Sequence, residues 1–338
     1  MSAPGLYADV HRSFAAALAH DDPATARRNL LDAGWLDALE ADEAMAVAIV
    51  FRVQGARPCH AGVLDDVMIK RLAPSWPVFD QEVAVTYPIA GRGRSPSGET
   101  HAVFAARRDV SRILYVSDTA GEAIELLELT APLEGRSGLG VEADGQLLML
   151  TGYPRGTVVA RLTAEHRNAW DEALAAGRVA LAHQLVSSAS VMLHLAVEHA
   201  RNREQFGEPI GAFQAVKHRL ADAMVAISAA NAAAVAAATT MSQTAAAVAK
   251  ALAGRAADRA ATHCLQVLGG IGFTAEHRFH RYFRHHLVLD RLLGDHHEIA
   301  RELGGQLRSG ALDAERVVTL ADPFQLELFE TLTRHDTP

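Results

Sequence analysis

RNREQFGEPIGAFQAVKHRLAD, Arg201 to Asp222, is the stretch whose reading decides the fold. It joins a charged helix end to a Phe-Gly-x-Pro turn and then to a second helix that begins Phe-Gln-x-x-Lys-His. Gly207 lets the backbone turn sharply, and Pro209 fixes the start of the next segment. Arg203, just before the turn, presents a bidentate fork suited to phosphate oxygens, with Gln205 and Phe206 adding polar and apolar surface beside it. No common core-packing need demands that whole string.

Outward from this turn the chain reads as long helices. One runs from an N-terminal signal at Thr163 to Asn202, a second starts near Phe213, and a third ends near Gly269-Gly270. The third leads into CLQVLGGIGFTAEHRFHRYFR, Cys264 to Arg284, where Gln266 ends the helix and Gly269 and Gly270 permit close backbone approach. Residues 1–72 are also helix-like: DDPATARRNLLDAG has an Asp-Pro start and a Gly stop, and WLDALEADEAMAVAIVFRVQGA continues in the same style. Between them, 73–161 carries short β-prone runs, EVAVTYPI, HAVFAA, RILYVSD, IELLEL and TVVARL, separated by GRGRSPSG, EGRSG and EADG turns. That texture predicts a small antiparallel β domain. The fold class is mostly α with a small central β domain, in the order helical region 1–72, β domain 73–161, helical bundle 162–310 and C-terminal extension 311–338. The extension ends DPFQLELFETLTRHDTP, read as one short helix with a frayed end.

The bulk numbers exclude several classes. With 338 residues the chain can hold two or three cores, and 49% hydrophobic with 21% charged residues describes an ordinary globular protein. A net charge of -8 argues against a nucleic-acid surface, so bound phosphates must meet a local basic cluster. Two cysteines, Cys59 and Cys264, give no disulfide framework, and a reducing, cytoplasmic compartment is expected. The start shows no signal pattern, and no membrane-spanning run is expected. The alanine-rich segment Ala226–Ala253, with polar interruptions, reads as a closely packed helical interior.

The two signatures together resemble the acyl-CoA dehydrogenase family, most clearly from about Arg178 to Arg301. The resemblance implies an N-terminal helical region (here shortened), a β domain and a C-terminal four-helix bundle. It also implies FAD held across a subunit interface, where Arg203, Gln205, Phe206, Gln266, Gly269 and Gly270 would touch the flavin bound mainly by the neighbouring subunit. The family reaction removes the α-proton of an acyl-CoA with a carboxylate while hydride leaves the β-carbon for the flavin, and electron-transfer flavoprotein accepts the electrons. Family members place that carboxylate in one of two regions. In this chain the first reads LLGDHHEIAR, with Gly294, or Leu293 after a one-residue slip, at the matching position. The second is the helix before the turn, where Gly177 and Gln184 stand and no Asp or Glu occurs between Ala173 and Leu195. Asp171 and Glu172 lie at that helix's start. Asp295 and Glu298 flank the first region, but a one-residue offset turns a side chain by about 100° on a helix.

The β domain shows a parallel loss. Thr86-x-Pro88 and Ala90-Gly91 are a remnant of the family's flavin loop, and the ring-contacting residues of that loop and of RILYVSD are not recognisable. The histidines His280, His285, His286, His296 and His297 are expected at surfaces or interfaces, not as metal ligands. The resemblance therefore narrows to the active-site-incomplete subunit of heteromeric (α2β2) steroid-CoA dehydrogenases of actinobacteria, with no catalytic residue of its own and FAD shared at the interface. A self-sufficient homodimeric flavoenzyme with a displaced base and a cofactor-free structural paralogue stay open beside it.

Overall fold

A computed structural model describes residues 3–58, 60–76, 83–88, 103–107, 110–116, 124–137, 147–150 and 152–312. Cys59, the Ala90-Gly91 remnant, the GRGRSPSG and EADG segments and the terminal DPFQLELFETLTRHDTP stretch lie outside the described residues.

The N-terminal helices are α1 (Ala3–Ala17), α2 (Pro23–Asp32), α3 (Trp35–Ala41), α4 (Glu43–Ala56) and α5 (Val63–Leu72). Asp22 caps α2 by accepting from the Thr25 N–H at 2.9 Å, with Pro23 at the first turn, as the Asp-Pro pair predicts. Asp42 caps α4 through the Met45 N–H at 3.0 Å. Along α4, Ala46, Val47, Ile49, Val50, Phe51 and Val53 are all buried, so this helix is covered on most sides.

The strands are β1 (Val83–Pro88), β2 (Val103–Ala105), β3 (Arg112–Val116), β4 (Ile124–Leu129), β5 (Gly135–Ser137), β6 (Leu148–Leu150) and β7 (Gly156–Arg161). They form a seven-stranded sheet in the order β5-β6-β2-β1-β3-β4-β7. The expected antiparallel sheet is in fact mixed, because β1 and β3 run parallel with Val83 opposite Arg112. β1 changes partner along its length: Val83–Val85 pairs with β3, and Thr86–Pro88 pairs antiparallel with β2. Side-chain alternation marks a strand but carries no information on its direction, which explains the error. EGRSG, expected as a turn, holds β5, where a Cβ on Gly135 would lie 2.4 Å from the Met149 carbonyl oxygen. β6 is a three-residue apolar run, too short for a periodicity reading.

The bundle is α6 (Arg167–Asn202), α7 (Gln214–Thr240), α8 (Gln243–Leu268), α9 (Phe279–Arg291) and α10 (His296–Ser309). Alanines dominate the buried faces of α7 and α8. The alanine-rich run is broken at Met241, which has φ 48°, and α8 restarts on a cap where the Ser242 hydroxyl accepts from Ala245 N–H at 3.1 Å. By length and composition alone, α6 and α7 are apolar enough to cross a membrane, contrary to the sequence expectation; 72% of the α6 window is buried in the protein, against 39% for α7.

A buried polar cluster ties the N-terminal helices to the sheet. Tyr87 of β1 donates its hydroxyl to Asp65 of α5, and both side chains are buried. Next to it, Arg27 donates twice to Asp66, at 2.6 and 2.8 Å, and Trp35 Nε1 donates to the same carboxylate at 2.9 Å. Burial pushes the Asp65 carboxyl up to about 7, despite the Tyr87 hydrogen bond. A carboxyl with a raised folded value contributes stability below its ordinary range and loses it as pH rises towards the folded value. Urea unfolding should therefore show stability falling between pH of about 4 and about 7 relative to an Asp65→Asn variant. Tyr87→Phe should cost about 1–3 kcal/mol in the same assay, by leaving a buried carboxyl without its donor.

Candidate flavin-facing elements and the closed centre

The RNREQFGEP stretch is a two-residue hairpin. β8 (Glu204–Gln205) pairs with β9 (Glu208–Pro209), and the Ile210 N–H donates to the Arg203 carbonyl at 2.8 Å. Phe206 has φ 59° and Gly207 φ 86°, both left-handed, which is the requirement of the tight hairpin turns that match strand twist. Glycine takes this conformation freely, but phenylalanine does so at a cost. The Phe206 ring is 95% exposed and meets only the edge of Phe213, at 6.1 Å between centroids. Arg203 and Gln205 are exposed, and among the described residues the Arg203 guanidinium has no hydrogen-bond partner. Gln205 turns its amide onto the Glu204 carbonyl at 2.6 Å.

Gln266 lies exposed near the end of α8, also without a hydrogen-bond partner among the described residues. Gly269 has φ 63°, so its backbone asks for glycine. Gly270 has no such need, and a Cβ there would meet nothing within 4 Å. Among the described residues nothing requires a glycine at that position. Just after this helix end Phe273 and Ile271 are 72% and 42% exposed, and on α7 Val225 and Met224 are 64% and 54% exposed. Arg203, Gln205 and Phe206 thus share one hairpin, and Gln266, Gly269 and Gly270 share one helix end. An exposed guanidinium, amide and aromatic ring of this kind fit an anionic, partly aromatic group.

The two places where the family's base would stand meet each other. A Cβ on Gly177 of α6 would fall 2.6 Å from Leu293 Cδ1 and 3.3 Å from Met68 Cγ and Sδ of α5. Leu293 is 2% exposed, and it and Gly294 form a left-handed turn with φ 58° and 98°. The turn is clamped through its carbonyls. Arg178 Nε donates to Leu293 O at 3.0 Å, and Lys250 Nζ donates to Gly294 O at 3.1 Å and Asp290 O at 2.8 Å. Lys250 is fully buried, which brings its ammonium down to about 8 in spite of Asp290 at 3.5 Å. Burial pushes Asp290 up, but the 2.7 Å hydrogen bond with His296 and the Lys250 charge together hold it below the usual carboxylate range. Gly254 makes room for this pair, since a Cβ there would lie 2.0 Å from Asp290 Oδ1.

The flanking carboxylates have other work. Asp295 caps α10, accepting from the Glu298 N–H at 2.8 Å, while Glu298 keeps one carboxylate oxygen buried without a hydrogen bond. Gln184 is buried with its amide 3.3 Å from His285 Nε2. Thr86 is buried too, and its hydroxyl accepts from the Val116 N–H at 2.8 Å. His285 and His286, expected at a surface, are 3% and 2% exposed, and burial lowers both pKa values. α9 carries them on its inward face beside Tyr282 and Leu289, so a histidine-rich run here is part of a core. No group of three or more His, Cys, Asp or Glu is arranged to hold a metal among the described residues.

Sequence reading missed Met68, Arg178, Lys250, Asp65 and Tyr87. A lone Lys250 in an alanine helix was the available signal, since a charge there is either buried and paired or marks a solvent stripe. Asp65 looked like an ordinary first-turn acid of α5.

Residues 168–306 match the family described as "Acyl-CoA dehydrogenase, C-terminal domain". The acyl-CoA dehydrogenase IpdE2 of Mycobacterium tuberculosis is 40% identical over 129 residues, covering 38% of this chain and 41% of that protein. The acyl-CoA dehydrogenase FadE34 of the same organism is 40% identical over 111 residues, covering 31% of this chain and 16% of that protein. The match thus takes in less than half the length of these relatives. Among solved structures, a chain of the ChsE4-ChsE5 complex from Mycobacterium tuberculosis aligns over 91% of this chain and 98% of its own, at TM-score 0.68 and 21% identity. Butyryl-CoA dehydrogenase from Megasphaera elsdenii aligns over the same shares, 91% and 98%, at TM-score 0.66 and 18% identity. The helical bundle thus matches the C-terminal domain of the acyl-CoA dehydrogenase family, and the chain as a whole shares its fold with solved members of that family.

Proposed function

We propose that this chain is the non-catalytic subunit of an FAD-dependent acyl-CoA dehydrogenase, completing the flavin site of a catalytic partner. The observation that carries the reading is the contact of Leu293 and Met68 with Gly177: the space beside one candidate position is filled by the side chain of the other, Leu293, and by Met68 of α5. The elements that face outward support the other half. Arg203, Gln266 and the Phe206 tip are exposed, the two polar groups have no hydrogen-bond partner among the described residues, and Gly270 has an open approach. Bound flavin supplies a hydride acceptor. The part of this chain is to hold phosphate oxygens with Arg203 and Gln266, and to cover apolar cofactor surface with Phe206. The α7 face and Phe206 form the contact with the partner in an α2β2 assembly.

The substrate would be a bulky, steroid-derived CoA thioester, with electron-transfer flavoprotein as acceptor, in a reducing cytoplasmic compartment. The sequence resemblance suggests this substrate class, and a structural neighbour described as a steroid acyl-CoA dehydrogenase, Tcur3481-Tcur3483, is in keeping with it.

One observation favours a second reading, a self-sufficient enzyme with a displaced base. Asp65 stands one helical turn before Met68 on α5, and its carboxyl is raised to about 7, the range of a general base. Under that reading the chain purified alone is yellow and oxidises an acyl-CoA, and Asp65→Asn abolishes turnover.

Co-expression with a complete acyl-CoA dehydrogenase chain from the same genome decides between them. The expected result is a colourless, inactive chain alone and a yellow, active complex of unlike chains. Arg203→Ala and Gln266→Ala in this chain should each lower flavin retention by about tenfold or more, the scale of one lost charge-assisted contact. Unchanged flavin content in both variants, or no stable complex, would sink the proposal. Within the chain, Gly177→Ala should destabilise by about 1–3 kcal/mol through overpacking, whereas Gly270→Ala should stay within about 0.5 kcal/mol. Thermal or urea unfolding of the two variants, prepared side by side, checks this contrast.

A further inference from the structure

A cleft of about 130 Å³ lies where the start of α6, the start of α8 and the second half of α10 come together. Its walls are apolar at Leu174, Ala247 and Leu303, and its charged groups are Asp171, Arg178 and Glu302. This volume is well below the roughly 300–1,000 Å³ of a site for a drug-sized ligand, so an occupant is limited to a few heavy atoms.

The charges that line the cleft do not neutralise one another. Asp171 and Arg178 share one face of α6 but stand two turns apart, about 10 Å along the axis. Among the described residues Arg178 makes no ion pair with Asp171 or Glu302, although each acts on it through space. Its Nε donates to Leu293 O at 3.0 Å, and its terminal nitrogens have no hydrogen-bond partner among the described residues. Burial holds this guanidinium below its usual range, and Glu302, Glu298 and Asp171 offset that only in part. Asp171 is the mirror case. Burial pushes its carboxyl up against the pull of Arg167 and Arg178, and no hydrogen bond reaches it among the described residues. Glu302 accepts from the Gln306 amide at 3.3 Å.

Opposite charges held apart around one small cavity call for an occupant that carries both. A guanidinium fork matches the two oxygens of a carboxylate. An ammonium has three donors to share between two acids, and a lone anion or a lone cation satisfies only one end. Leu174, Ala247 and Leu303 offer apolar surface to a short aliphatic side chain.

We propose that the α6–α8–α10 cleft binds a small aliphatic α-amino acid, its carboxylate on Arg178, its ammonium between Asp171 and Glu302, and its side chain on the apolar walls. Because Arg178 Nε already holds the Leu293 carbonyl, an occupied cleft also braces the Leu293–Gly294 turn. The proposal is independent of the subunit assignment, since it uses none of the residues assigned to the flavin.

Titration calorimetry on the full chain, in complex with its partner where the two purify together, tests it with L-alanine and L-valine as probes. Acetate and ethylammonium, each carrying one of the two charges, are the controls. Saturable binding of at least one amino acid is expected, about tenfold or more tighter than either control. Asp171→Asn and Glu302→Gln leave the Leu293 clamp untouched, and each should weaken that binding about fivefold or more. The unfolding temperature of the parent should rise with amino-acid concentration, and less so in these two variants. The idea is overturned if neither amino acid binds saturably up to about 20 mM, which leaves the cleft to water. It also fails if acetate or ethylammonium binds as tightly as the amino acids, or if either acid variant binds them as the parent does. Arg203→Ala, at the hairpin, should bind amino acids normally, and a loss there would overturn the cleft; flavin loss in that variant bears on the subunit assignment alone.

Discussion

The molecule depends on how closely its neighbours approach α6. At Gly55, a Cβ would fall 2.3 Å from the Gln184 carbonyl oxygen, so α4 lies directly on the α6 backbone. At Gly177 the reverse holds, and the missing Cβ on α6 admits Leu293 and Met68. Alanines at 173, 175, 176, 180, 182 and 189 keep the rest of the buried surface of α6 low in relief. Helices that meet through small residues sit close, and close packing leaves few voids for a substrate. The same constraint that gives the bundle its core therefore also fills the space beside Gly177.

Electrostatics reinforce this geometry from below. Lys250 and Arg178 reach the turn at Leu293–Gly294 through its carbonyl oxygens and not through its side chains. A carbonyl clamp is indifferent to the identity of the side chain at the clamped position. The backbone of this turn is thus held in place whether an acid, an aliphatic or no side chain stands there. Burying an ammonium costs several kcal/mol when it is unpaired, and here two carbonyls and Asp290 offset much of that.

The helical half of the fold was legible because its signals are local. Asp22-Pro23 caps α2, the hairpin at Phe206-Gly207 falls between two long helices, and α6 ends at Asn202 where the charged run predicts. Strand direction was not legible, since the pairing of β1 with both β2 and β3 depends on partners distant in sequence. The absence of an acid at Gly177 and at Leu293–Gly294 could be read directly, but the contact between Gly177 and Leu293 could not, because it joins α6 to a turn more than a hundred residues later. Histidines gave the poorest guide. His285 and His286 are neutral core residues, and composition alone cannot separate a buried imidazole from an exposed one.

The hairpin tip has a consequence for the kinetics of recognition. Phe206 is held left-handed by the register of β8 with β9 and by the Ile210-to-Arg203 hydrogen bond, so its position is fixed before anything covers it. The backbone strain is met during folding, at the expense of the many contacts in the bundle. Association then has to order only a side chain with two rotatable bonds, and the entropic penalty of docking is correspondingly small. A preformed aromatic knob of this kind favours a long residence time once seated, since leaving its socket returns the ring to water with almost no compensating gain in backbone freedom.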